Sequence, residues 1–365
     1  MPEYRVTFRL KSSLGTPLQA DTIFGHICWA IRYLEGERAL TDFLAAYESE
    51  PPLLVSDGLP LVGEARYLPM PAWPVSPADA NALAAALGIS TDDLSLTRPF
   101  LSAFRALAKK PYVEESALIA RCDPLDLVSL ARACFELSVC PQSMAPLDRE
   151  LCRCEAWIDC PALETGRASQ TTCAAPHPSA AAVPVMHNVI NRWTTASEGL
   201  FAQEDTFHAN ALYFLVRADP DVVPLHRLES VLDYIRHSGY GRDKSTGKGA
   251  MTDLRIDPHE QSPIEGANGF VNLSSAYVPV AGELGKAFYN THVKRGKLGG
   301  SYVLEHSPWK RPVLMLRAGS VFLADPERPH GCLVKGVHYE LPEVVQYGYA
   351  YPLAVRLDEN AFGDI

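Results

Sequence analysis

The chain has 365 residues, enough for two domains of ordinary size or one large one. Hydrophobic residues make up 47% and charged residues 21%, a globular balance that excludes wholesale disorder. A formal net charge of −10 counts against a free, non-specific nucleic-acid binder, which would be basic overall, but the basic residues are uneven and leave room for a narrow cationic channel.

The opening Met-Pro-Glu-Tyr-Arg-Val-Thr-Phe lacks the basic head and apolar run of a secretory leader. No stretch approaches the roughly 20 apolar residues of a membrane span, so the expected location is cytoplasmic, with no membrane partner. Residues 4–11 alternate: Tyr4, Val6, Phe8 and Leu10 point one way, Arg5, Thr7, Arg9 and Lys11 the other, which predicts a half-buried strand. After the Gly15-Thr16-Pro17 turn, Asp21 can cap a helix starting near Thr22, with Ile23, Ile27, Ala30, Ile31 and Leu34 on one stripe and Gly36 as its stop. A second helix is expected over 38–48, extended segments over 51–78, and a surface helix over 79–88. Residues 100–137 read as partly helical, and 138–185 as a long irregular insertion rich in Cys, Pro and Ala.

Leu212, Phe214 and Val216 alternate with Tyr213, Leu215 and Arg217 in a strand buried on both faces. Leu228, Val231, Leu232 and Ile235 then recur at helical spacing, a glycine-rich loop covers 239–249, and a strand runs through Met251, Leu254 and Ile256. Strand–helix at the start and strand–helix–loop–strand here are compatible with a ferredoxin-like βαββαβ unit. From about 270 the composition turns strand-rich. The expected class is α+β: residues 1–260 form a domain with an insertion at about 100–185, and 261–365 a smaller strand-rich domain.

The sharpest local signal is Gly239-Tyr-Gly-Arg-Asp-Lys-Ser-Thr-Gly-Lys-Gly249. Gly239, Gly241, Gly247 and Gly249 let backbone approach a ligand and bare its N–H groups, while Arg242, Lys244, Lys248, Ser245 and Thr246 can donate to phosphate oxygens. The bland alternative is a flexible connector with solvated charges. A nucleotide-hydrolase P-loop is excluded, since Arg242 and Gly249 stand where that motif needs Gly and Ser or Thr, and the loop follows a helix. Lys294, Arg295 and Lys297 form a second basic cluster, which either meets RNA or solubilises a loop. Cys122, Cys134, Cys140, Cys152, Cys154, Cys160 and Cys173, with His177 and His187, could hold structural zinc. No paired CxxC occurs, so free or buried thiols are the stronger reading and no metal or cofactor is expected.

Leu10-Lys-Ser-Ser-Leu-Gly-Thr-Pro-Leu-Gln-Ala-Asp-Thr-Ile-Phe-Gly-His-Ile-Cys-Trp-Ala-Ile31 resembles the first strand, loop and helix of RAMP proteins, the repeat-associated superfamily of CRISPR systems. Its ADTIFGHICWAI form is similar to the Csm-type subunit that caps the guide RNA in type III-A interference complexes. His187-Asn-Val-Ile-Asn-Arg-Trp-Thr-Thr-Ala-Ser-Glu-Gly-Leu-Phe201, the 239–249 loop, Lys297-Leu-Gly-Gly300 and Arg317-Ala-Gly-Ser-Val-Phe322 resemble that family's later segments in the same order. The resemblance implies two ferredoxin-like (RRM-like) domains that grip the crRNA 5′ handle. It implies as partners a large polymerase-like CRISPR subunit and backbone RAMP subunits. By position it adds His187, Asn188 and Arg192 to the RNA-binding residues, and His26, on the first helix opposite the Ile27–Ile31 stripe, is expected near the same RNA. Asp243 inside the loop and the Cys-rich insertion depart from the family pattern. The implied role is non-catalytic. The alternatives are a RAMP endoribonuclease processing precursor CRISPR RNA, with His26, His187 or His208 as general acid or base, and an interaction protein that uses its acidic surface without RNA.

Overall fold

The computed structural model describes residues 1–88, 101, 104–105, 107–120, 122–137, 178–261, 263–300 and 302–363. It is an α+β protein whose strand pairings within sheets are antiparallel. The strand β1 (Glu3–Leu10) buries Val6 and Phe8 completely, as its alternation requires, while Arg5 reaches Asp257 at 3.6 Å. It lies between β8 (Ala211–Ala218) and β9 (Met251–Pro258), with Phe8 opposite Leu212 and Val6 opposite both Phe214 and Ile256. The sheet continues from β8 through β3 (Leu59–Val62) and β4 (Ala65–Pro69) to β5 (Tyr112–Glu114), and β2 (Leu53–Val55) also pairs with β8.

Two helices return the chain across this sheet. In α1 (Ala20–Glu35) the 3.6-residue stripe buries Ile23, Phe24, Ile27 and Ile31, and Gly36 at φ 97° stops it. The helix α2 (Glu37–Ala46) follows and buries Phe43. The helix formed by Leu225–Ser238 buries Leu228, Val231, Leu232 and Ile235 in the same core. The residue before α1 is Gln19, and its side chain makes no cap. Asp21, expected as the cap, instead lies inside the first turn, buried, where its carboxylate takes bonds from Lys294 and Gln346. The free N–H of Ala20 is met by Asp57 Oδ1 at 2.8 Å, a carboxylate that arrives from the turn between β2 and β3.

The expected surface helix is α3 (Pro77–Ala86), opened by a Ser76–Asp79 capping box. It lies at the surface, with Asn81, Ala82, Ala85 and Ala86 exposed, and turns one face inward: Ala80, Leu83 and Ala84 are buried against Phe104 and Ala131, the latter on α4 (Leu127–Leu137). Small alanines let α3 sit close enough to bury one face. The last part of the expected irregular insertion is ordered strand. β6 (Ala180–Ile190) pairs along its length with β7 (Ser197–His208) in a long two-stranded arm. Cys140, Cys152, Cys154, Cys160, Cys173 and His177 lie outside the described residues. Cys28, Cys134 and Cys332 carry free thiols, Cys122 Sγ donates to the Ala117 carbonyl, and no cluster of metal-ligating side chains occurs among the described residues.

Beyond 261 the chain forms short strand pairs. β10 (Gly269–Asn272), β11 (Ala287–Phe288), β14 (Val321–Phe322) and β17 (Pro352–Val355) make one sheet, and β12 (Thr291–Lys294) pairs with β13 (Val313–Leu316). β15 (Gly331–Val334) pairs with β16 (Gln346–Tyr349). Among the described residues of this half the α-helix is the four-residue Tyr302–Glu305, and they include no crossover helices of the kind a second βαββαβ unit needs. Most of its core is shared with the first, while Phe270, Tyr277, Leu316, Phe322 and Ala350 form a small cluster of their own. Leu273, Met315, Tyr347, Leu353 and Phe362 belong to the cluster that holds Val6, Phe8 and Ile27. The Phe24 and Tyr347 rings lie 4.7 Å apart, and Tyr347 Oη accepts the Val55 N–H. Among the described residues no helix is long and apolar enough to cross a membrane.

Candidate nucleic-acid interface

The 239–249 loop is a braced structure. At its base Tyr240 N–H donates to the Gly249 carbonyl, Gly249 N–H to Ser13, and Tyr240 Oη–H to Pro17 at 2.8 Å. A Cβ at Gly249, where φ is +65°, would stand 2.0 Å from the Tyr240 carbonyl oxygen, so no other residue fits. The Gly241 N–H donates to His26 Nε2 at 2.9 Å and the Arg242 N–H to Thr16 Oγ1 at 3.0 Å. The amides of Gly239, Gly247 and Lys248 likewise bond to carbonyls within the loop and its helix. The four glycines therefore shape the loop and do not offer N–H groups to a ligand, which corrects the sequence expectation for the glycine amides.

Its cations are divided between internal and outward duty. Lys248 Nζ sits 2.9 Å from Asp205 and 3.2 Å from Asp243. Arg242 lies 3.6 Å from Asp205 and 3.4 Å from Asp243 and donates to the Glu204 carbonyl. Asp205, on β7, is 2% exposed and also accepts from Ser13 Oγ at 2.9 Å. Burial works against its carboxylate, but the bonds from Lys248 and Ser13 and the Arg242 charge outweigh it and hold its pKa below the ordinary value. Lys244, Ser245, Thr246 and Gly247 form the exposed tip, and Lys244 has no carboxylate partner among the described residues. The loop is neither fully neutralised nor fully free: two of its cations fasten it to the arm and the third faces water.

His26 is half-buried and stacks on Tyr240 with centroids 4.9 Å apart. Burial, with Lys244 nearby, lowers its pKa to about 4, so at neutral pH the imidazole is uncharged and serves as the acceptor for Gly241. It supports the loop and has no proton to give as a general acid. Among the described residues no hydrogen bond joins His26, His187 and His208.

The arm carries the second group of site residues. His187 on β6 stacks on Phe201 across the ladder at 5.4 Å, Asn188 Oδ1 accepts from Ser197 Oγ, and Arg192 is exposed at the turn beside Trp193, which is 97% exposed. At the foot of the arm Leu14 and Thr206 exchange backbone hydrogen bonds, so arm, Gly15–Thr16 turn and loop form one unit. The third group splits. All three N–H donors of Lys294 are occupied by Gln19, Asp21 and Thr22, which removes it from the RNA-contact set. Arg295 and Lys297 are exposed. Lys297-Leu-Gly-Gly300 has a packing reason as well, since a Cβ at Gly299 or Gly300 would run into the Trp29 ring. Asp205 escaped sequence reasoning: it lies 43 residues from Lys248, inside a strand with no local motif.

No family model and no curated protein matches the chain. Solved structures do. A Csm1–Csm4 cassette in complex with cA4 matches with TM-score 0.52 at 17% identity, covering 98% of this chain and 100% of that chain. The same cassette in complex with AMPPNP gives 0.51 at 18% identity over the same shares. A Csm3–Csm4 subcomplex of the type III-A CRISPR-Cas interference complex gives 0.57 at 13% identity, covering 97% and 99%. Csm4 is the component these assemblies have in common. At these identities the likeness is one of fold: the chain shares the fold of chains found in Csm1–Csm4 and Csm3–Csm4 assemblies.

Proposed function

We propose that this chain is a non-catalytic RNA-binding subunit of a type III CRISPR effector complex, gripping the 5′ handle of the guide RNA and docking a polymerase-like subunit and the first backbone subunit. The observation that carries the reading is the shared unit of loop and arm. The exposed Lys244-Ser245-Thr246 tip is locked to the foot of a hairpin with strands of 11 and 12 residues. At about 3.4 Å per residue that hairpin is roughly 35 Å long, and it ends in exposed Arg192 and Trp193. A rigid cationic tip holds phosphates by counterion release, and side chains on an arm can meet splayed single-stranded bases. The likeness to chains of Csm1–Csm4 and Csm3–Csm4 assemblies over nearly the whole length supports the choice of partners.

The division of labour proposed is that residues 1–260, with the insertion at about 100–185, hold the 5′ handle, and that 261–365 pack against this unit. Within 1–260 the sheet order β9-β1-β8-β3 places fourth, first, third and second strands side by side. That is the order of a ferredoxin-like unit, the frame on which RRM-type RNA binders are built.

The test is co-purification. Tagged protein expressed with its neighbouring subunits should bring down a multi-subunit assembly and short RNAs with a common 5′ end. Lys244→Glu should reduce that RNA by about tenfold at moderate salt while the thermal transition stays in place. An assembly with unchanged RNA content in Lys244→Glu would remove the loop from the reading, and recovery of the protein alone would remove the complex.

A further inference from the structure

On the C-terminal half, residues 295–298 and 308–311 run antiparallel. Lys297 bridges Trp309, Leu298 N–H donates to Pro308, and Lys310 N–H donates to Gly296. Strand alternation divides the side chains of this ribbon. Lys294 and Lys310 turn inward, where Lys310 Nζ bonds the Val345 carbonyl and Gln346 Oε1. Arg295, Lys297, Trp309 and Arg311 turn outward and are exposed. The Arg311 N–H donates to Val337, which brings Tyr339 alongside.

The outward side chains pair with each other in an unusual way. Lys297 Nζ lies 4.3 Å and Arg295 Cζ 5.1 Å from the centre of the Trp309 ring, and Arg311 Cζ lies 4.1 Å from the centre of Tyr339. Among the described residues none of these three cations has a carboxylate in ion-pair range, although the chain carries 43 acidic residues against 33 Lys and Arg. Trp309 is 39% and Tyr339 80% exposed. Two aromatic rings are thus kept in water, each held by cations over its face.

We propose that Trp309 and Tyr339, with Arg295, Lys297 and Arg311, form a second binding surface for single-stranded nucleic acid, made from none of the residues of the 239–249 loop. A single strand supplies both things the surface lacks: a phosphate at every step for the unpaired cations, and a flat base for each ring. An acidic protein segment would answer the cations and leave the rings in water. A duplex hides its base faces in its own stack. The inference stands on this ribbon alone and does not depend on the loop's role.

The experiment uses the full chain and a fluorescein-labelled twelve-nucleotide uridine RNA, followed by anisotropy from 50 to 200 mM KCl. The parent should bind, and Trp309→Ala with Tyr339→Ala should weaken binding by about tenfold or more, as stacking energies imply. Replacing Arg295, Lys297 and Arg311 by Gln should lower the salt slope by about 2. Trp309→Phe should keep most of the affinity. No binding by the parent, parental affinity in the double alanine variant, or equal competition by a duplex or by polyglutamate overturns the proposal. Should the alanine variant lose its thermal transition, the Gln variant decides, and an unchanged slope then overturns it.

Discussion

At Asp205 a single buried carboxylate holds two cations and a serine hydroxyl from other parts of the chain. Asp205→Ala leaves Lys248 without its main partner. The expected cost is about 3 kcal/mol in urea unfolding, at the low end for a broken buried pair because Arg242 retains contact with water. Its lowered pKa fixes the sign of a pH effect. The stabilisation is fully present above the unfolded Asp value near 4 and is lost as pH falls through the folded value. Asp205→Asn should therefore converge with the parent in strong acid. His26 works in the same direction from a different start. Its folded pKa of about 4 lies below the ordinary 6.5, so its contribution is present above pH 6.5 and is lost as pH falls toward 4. His26→Phe keeps a ring against Tyr240 but leaves Gly241 N–H without an acceptor, at about 1–2 kcal/mol near neutrality. Its deficit should shrink steadily between pH 6.5 and 4, which equilibrium unfolding at each pH would show.

Among the elements, those with a local cause were legible in the sequence. The stripe of α1, its stop at Gly36, and the alternation of β1 each follow from a few adjacent residues, and the structure reproduces them within one or two positions. The arm was not legible. Val183, Met186, Val189, Ile190, Leu200, Phe201 and Phe207 are all exposed, so its strands have no buried apolar face to betray them. The loop was legible as a place but not as a mechanism: its glycines announced tight turns, while the partners of its amides lie more than two hundred residues away at Thr16 and His26. Gly249→Ala, which drives a Cβ into the Tyr240 carbonyl and strains a left-handed residue, should cost about 3 kcal/mol or more and disorder the tip. Thermal melting with hydrogen exchange of the 240–249 amides would measure both. Removing the arm beyond residues 186 and 202 takes away little buried surface and should leave the melting temperature within a few degrees.

For the whole molecule, the core that crosses residue 260 predicts one cooperative transition. Calorimetry of the full chain should give a single peak, and a 1–260 fragment should lack it, since Tyr347, Leu353 and Phe362 fill space beside Phe24, Val55 and Trp73. The coupling has a polar part. Asp57 Oδ1 accepts N–H groups from Ala20 in the first half and Ser275 in the second. Burial raises its pKa to about 6 despite the bonds it receives from Ser275 and Ala20. The sign is opposite to that of Asp205: protonation is favoured in the folded state, so stability from this group rises as pH falls from about 6 toward 4 and is lost as pH rises. Asp57→Asn should abolish that component of the difference between pH 7 and 5 in chemical denaturation.

The first helix of this chain, then, is fastened by Asp57, Lys294 and Gln346, and the last two belong to the final quarter of the sequence. During synthesis on the ribosome α1 has Asp57 early but lacks its ties to Lys294 and Gln346 until residue 346 has left the exit tunnel. His26, which props Gly241, waits with it. Nascent chains arrested short of that point should stay open to protease around residues 20–35, and the tip that carries Lys244 should take its final shape only once residue 346 has emerged.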